Sequence, residues 1–292
     1  MSFAQKDRRR DLMLAFAAFL VALVLWQMQG VYFLTQPFRL FVTMIHELGH
    51  GLAAVLTGGE FIRFEVTKRG AGLAYTSGGW RFAIIQAGYL GTAIFGACLL
   101  ILTHTIKRPG RVAIGVGVFI GILTLAYSGI SAGNLSMWEI MVAGSVLAGG
   151  VYLFFVREME AGEHYIGLLV GLGAAFLFVI FAGSDNVLTI LIGLISAGLL
   201  VVIGWRANRD VVVVTLTFLA FLTGLQAITD SWVLFKIVSQ STALMPSNDA
   251  GSMAREVGGT AWLWALVWIA MDIVIFGSAV YWVLIRPARR KA

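Results

Sequence analysis

Apolar runs too long for the interior of a small soluble domain dominate this chain. Residues 12–34 read LMLAFAAFLVALVLWQMQGVYFL, and comparable runs recur near 38–57, 81–106, 112–131, 138–156, 165–182, 186–205, 211–237 and 260–285. A helix needs roughly 20 such residues to cross a bilayer. Only 12% of the 292 residues are charged, about half the usual share of a soluble domain, so a water-facing surface cannot be built from this supply. The expected fold is an all-α polytopic membrane protein with about nine transmembrane helices, within a range of about seven to ten. It reads as one integral membrane domain over 1–292, made up of three stretches, 12–106, 107–205 and 206–292. The first apolar run exceeds the core of a signal peptide and is expected to remain as a span.

The net charge of +6 gathers in short clusters, Lys6 to Arg10, Lys107 to Arg111 and Arg286 to Lys291. Clusters beside apolar runs meet lipid headgroups, and no nucleic-acid partner is expected. The basic amino terminus favours a cytoplasmic start. Strict alternation of spans then places KRPGR and the basic tail outside, against the same rule. Cys98 is the single cysteine, which excludes a disulfide within the chain and a metal site built on cysteines.

Within one apolar run, residues 40–57 read LFVTMIHELGHGLAAVLT. Ionisable groups at membrane depth are costly and by default functional. On a helix His46 and His50 lie four apart on one face and can point at one metal ion, with Glu47 within reach of an attacking water as general base. Two neutral imidazoles and one carboxylate suit Zn2+. The stretch after this helix changes character. In FIRFEVT, Ile62, Phe64 and Val66 alternate with Arg63, Glu65 and Thr67, the period of a strand. Gly70-Ala71-Gly72 supplies a turn before LAYT, so a small β-hairpin or sheet is expected behind the HELGH helix.

A third protein ligand must come from elsewhere. His104 and His164 sit at the ends of apolar runs and read as interfacial, while Glu139 and Asp185 fall in short connections. Asp230 and Asp272 are embedded in apolar runs, and Asp249 belongs to the polar SNDAGS, where Ser-Asn-Asp most simply caps a short helix. With alternating spans, Asp230 sits at a depth similar to His46 and His50. Asp230 is therefore the first choice as third ligand, with Asp272 and Asp249 as alternatives.

HELGHGLAAVLTGGEFIRFEV followed by GGWRFAIIQAGYLGTAIFGACLL resembles the site-2-protease-like intramembrane metallopeptidases, in their compact branch without a PDZ insertion. The resemblance is specific over roughly the first 105 residues and weakens after them. It implies that His46 and His50 are zinc ligands and Glu47 the catalytic base. It also implies that the β segment, Phe61, Ile62, Arg63, Phe64 and Glu65, holds the substrate in extended form. Gly88, Gly91 and Gly96 are expected to let the next span pack closely on the catalytic helix. The late family motif pairs an Asn-Pro stretch with Leu-Asp-Gly, whereas this chain has GLQAITDSW, so Asp230 is carried over by position and type alone.

The expected function is hydrolysis of peptide bonds in transmembrane or membrane-anchored protein substrates by a multi-pass zinc metalloprotease of the lipid bilayer, most simply the cell membrane. Two other classes are weighed beside it. One is a non-catalytic membrane chaperone or scaffold that keeps the protease fold, which would not need Glu47 beside a metal. The other is an ion-coupled transporter using the intramembrane carboxylates.

Overall fold

A computed structural model describes residues 3–27, 32–129, 185–240 and 248–286. Its elements are α1 (Phe3–Gln27), α2 (Tyr32–Leu56), β1 (Glu60–Val66), β2 (Gly72–Ser77), α3 (Arg81–Thr105), α4 (Pro109–Tyr127), α5 (Asp185–Arg206), α6 (Arg209–Gln240), α7 (Asp249–Val257) and α8 (Ala261–Val280). A π-helical turn, Tyr281–Ile285, extends the last helix.

Among the described residues, α3, α4, α5, α6 and α8 with its π-helical turn are long and apolar enough to cross a membrane. The architecture is that of an integral membrane protein. The expected spans at 138–156 and 165–182 lie outside the described residues, and those at 12–34 and 38–57 are not among the candidates, so five of the nine expected spans stand among the described residues. The apolar stretch described in α1 is Met13–Val24, shorter than a span. The polar connection after α6 is not featureless, because it contains the nine-residue helix α7.

Helix α3 is central: it packs on α2, α6 and α8, while α1 lies along α6 and α4 pairs with α5. Two glycines make the α2–α3 contact close. A Cβ on Gly49 would overlap the carbonyl of Ala87, and one on Gly91 would touch the Cα of Gly49. Gly96 was expected to serve the same contact, but it faces Ala220, Thr223 and Gly224 of α6. The small-residue run therefore turns around α3 and joins two neighbours, as the helical period requires.

Helix α2 ends in paired hydrogen bonds that turn the chain into the hairpin. Gly59 N–H donates to Ala54 O at 2.8 Å and Gly58 N–H to Val55 O at 3.2 Å, with Gly58 at φ +83°. This is the Schellman arrangement, which needs a left-handed residue and favours glycine. Strands β1 and β2 then pair antiparallel, from Glu60 opposite Ser77 to Val66 opposite Gly72.

The hairpin was expected, but its face was not read correctly. An irregularity between Phe61 and Arg63 inserts Ile62 as an extra residue, as a bulge does. Phe61 and Phe64 are consequently both buried, while Ile62 is 55% exposed. The Phe61 ring stacks on Tyr127 of α4 at 4.3 Å. The end of β1 is tied to α5: Val66 N–H donates to Thr189 Oγ1 at 2.7 Å and, just past the strand, Lys68 N–H to Asp185 Oδ1 at 3.0 Å. On the other side Gln36 Nε2 donates to Lys68 O at 2.6 Å and Thr43 Oγ1 to Gly70 O at 3.0 Å, pinning the turn to α2.

Candidate metal centre

The single helical turn between His46 and His50 brings their Nε2 atoms within 3.1 Å. The imidazole of His50 is oriented from behind, because its Nδ1 lies 2.7 Å from Ile84 O, a carbonyl of α3. A carbonyl only accepts, so Nδ1 carries a proton and Nε2 is the nitrogen turned to the site. Such a bond fixes the tautomer that a ligating histidine needs.

The third acidic group at this point is Asp249. Its Oδ2 lies 3.6 Å from Nε2 of both His46 and His50. Ligand atoms of these three residues all fall within 4.8 Å of one another, the one such grouping among the described residues. Of the Ser-Asn-Asp expected to cap the short helix, it is Asn248 that does so, its Oδ1 accepting from Gly251 N–H at 2.9 Å. That leaves Asp249, the first residue of α7, to face the histidines. Burial opposes its charge, yet the two imidazoles outweigh this and hold the carboxyl well below the usual carboxylate range.

Asp230 does not join this group. Its Oδ1 accepts a hydrogen bond from Gln226 Nε2, one turn earlier on α6, at 2.7 Å. Asp272 is 0% exposed and its Oδ2 accepts from Ser231 at 2.7 Å. The depth argument chose Asp230 because it considered only spanning helices. The carboxylate that meets the histidines arrives instead on α7, out of the polar connection. His104 lies apart from the site, its Nε2 being 3.1 Å from Thr217 Oγ1. His164 and Glu139 lie outside the described residues.

The space between the histidines exists because residue 88 has no side chain. A Cβ on Gly88 would overlap Nε2 of both His46 and His50. The donor set of two imidazole nitrogens and one carboxylate oxygen fits zinc, and the cradle at Gly88 leaves room for an ion. Gly88→Ala is therefore expected to weaken zinc binding by about 10- to 100-fold, the range seen when groups supporting metal ligands are altered. Equilibrium competition with a chromogenic chelator measures it, and unchanged affinity would contradict the reading of this space.

Glu47 lies next to the histidines, 6% exposed, under the start of β2. A Cβ on Gly72 would overlap its carboxylate, and the backbone amide of Ala74 faces it. Glu47, His50 and Asp249 line a cleft of about 330 Å³ with Gly72, Leu73, Ala74 and Thr76 of β2. The strand at the cleft is thus β2, not the β1 residues Phe61 to Glu65. Phe61 and Phe64 point into the core, and Arg63 pairs with Glu65. These β2 residues were missed because LAYT reads only as the return strand; α5, which holds the end of β1, lies far along the chain.

Helix α7 closes the far wall. Ala250 and Met253 are buried with Ile85, Leu234 and Trp268. Arg81 Nε and Glu256 Oε2 form an ion pair at 2.9 Å. Its side chains are 65% and 37% exposed, and an exposed pair contributes about 0.2–1 kcal/mol. Packing, rather than this pair, keeps Asp249 in place.

A family model described as Peptidase M50B-like matches residues 15–128 and 124–279. No curated protein and no solved structure matches the chain. The match takes in the HELGH helix, the hairpin, the cleft and Asp249, and its members are zinc peptidases. The chain belongs to the Peptidase M50B-like family, within the site-2-protease group of membrane metallopeptidases.

Proposed function

We propose that this protein is a zinc-dependent intramembrane endopeptidase whose ligands are His46, His50 and Asp249 and whose general base is Glu47. The observation that carries the reading is the convergence of these three ligand atoms within 4.8 Å, with Glu47 in the same cleft. Zinc, when bound, supplies a Lewis acid that polarises the scissile carbonyl and makes water more acidic.

The protein residues do the rest. Glu47 accepts a proton from the attacking water as the new C–O bond forms, then returns it to the amine nitrogen as the C–N bond breaks. The Ile84 carbonyl keeps His50 in its working tautomer. A transmembrane helix hides its scissile carbonyl in its own hydrogen bonds, so the substrate must be extended to react. The outer edge of β2 borders the cleft, and an added strand there would receive such a segment. The substrate class is a transmembrane or membrane-anchored protein, cut in the bilayer of a cell membrane.

The test is zinc content together with cleavage. Purified protein is expected to carry about one zinc per chain, and His50→Ala to lose it. Cleavage of a single-span model substrate in proteoliposomes should stop with a chelator and return with added zinc. A wild type that binds no zinc, or cleavage indifferent to the chelator, would end this reading. Substrate flux without any zinc requirement would favour a transporter instead.

A further inference from the structure

The two histidines are held by different means. His50 has the Ile84 carbonyl behind its Nδ1. Among the described residues His46 has no matching bond. What it has is a ring: Tyr89 meets it edge to face, centroids 4.6 Å apart and planes at 89°. Tyr89 is in turn stacked on Trp268 of α8, centroids 5.1 Å apart and planes at 14°.

Trp268 is 0% exposed, and its indole N–H has no acceptor among the described residues. A buried indole ordinarily finds one. This side chain therefore serves as a flat surface rather than as a donor. Tyr89 follows Gly88 directly, so α3 presents bare backbone to the space between the imidazoles and, one residue on, an aromatic ring to the face of His46.

We infer that Tyr89, backed by Trp268, is the positioning residue of His46, holding by aromatic packing the imidazole whose Nδ1 side has no hydrogen-bond anchor among the described residues. The inference rests on the zinc site proposed above. The stack ties α2 to α8 through α3, so that His46 and α7, which packs beside Trp268, share one support. The contribution belongs to the ring and not to the phenol hydroxyl.

The experiment compares the full-length chain with Tyr89→Phe, Tyr89→Leu and Trp268→Leu, reading zinc affinity by chelator competition and the visible spectrum of the cobalt-substituted protein. Tyr89→Leu is expected to lower zinc affinity by about 10- to 100-fold and to change the cobalt spectrum. Tyr89→Phe keeps the ring and should match the parent in both. Trp268→Leu should alter the spectrum in the same direction as Tyr89→Leu, and it reads the same stack from its other end should the Tyr89→Leu chain fail to fold. Parent-like affinity and spectrum in Tyr89→Leu and Trp268→Leu would overturn the inference. So would a loss in Tyr89→Phe as large as in Tyr89→Leu, since that would assign the role to the hydroxyl. A parent that binds neither zinc nor cobalt is a different result, which removes the metal site itself.

Discussion

Glu47→Gln is expected to retain zinc and to lose about 10²- to 10⁴-fold in peptide hydrolysis, the range that a positioned general base contributes. The substitution is close to isosteric, which matters here because Glu47 lies directly under Gly72, with no room for rearrangement. The amide keeps the shape and can still accept from the Ala74 backbone, but it cannot take a proton from water. Histidine positions should be unaffected, since His50 is fixed by Ile84 and not by Glu47. Zinc content and substrate cleavage measured on one preparation separate the two effects. A variant that holds zinc and cleaves like the parent would remove Glu47 from the chemistry. A variant that loses zinc would mean that it supports the ligands instead.

The second large effect separates two aspartates. Asp249→Ala should lower zinc affinity by more than the roughly 100-fold that supporting residues cost, because it deletes the carboxylate that faces both imidazoles. Asp230→Ala should leave zinc affinity close to the parent, because that carboxylate is turned to Gln226. Metal binding at Asp249 and the histidines also requires neutral imidazoles, so affinity should fall as pH drops. Titration of both variants with zinc, side by side, decides the assignment. Equal losses, or a larger loss in Asp230→Ala, would return the third ligand to α6.

The helical half of the site was legible because its information is local. His46, Glu47 and His50 share one turn, and the geometry of a helix converts that spacing into a cluster without help from the rest of the chain. The carboxylate that meets the histidines is not local. Depth in the membrane was used to choose it, which tacitly required the ligand to sit on a span. A better signal lay in MPSNDAGS, where Pro246, Asn248 and Gly251 surround Asp249; GLQAITDSW has no proline or asparagine, and no glycine after its aspartate. The hairpin was legible from its alternation and its glycines. Its buried face was not, because one inserted residue at Ile62 exchanges the roles of Phe61 and Ile62. A period-2 reading cannot anticipate a bulge.

The tie between the end of β1 and α5 has a consequence for life in a crowded bilayer. A two-stranded sheet with both rims bare would be a template on which neighbouring chains could polymerise. Here the end of one rim is tied to the start of α5, and the other borders an interior cleft beside Glu47 and α7. Any backbone that reaches the remaining rim arrives next to the general base. On the proposed function, the strand edge left beside this cleft is a place where a strand that adheres can also be cut.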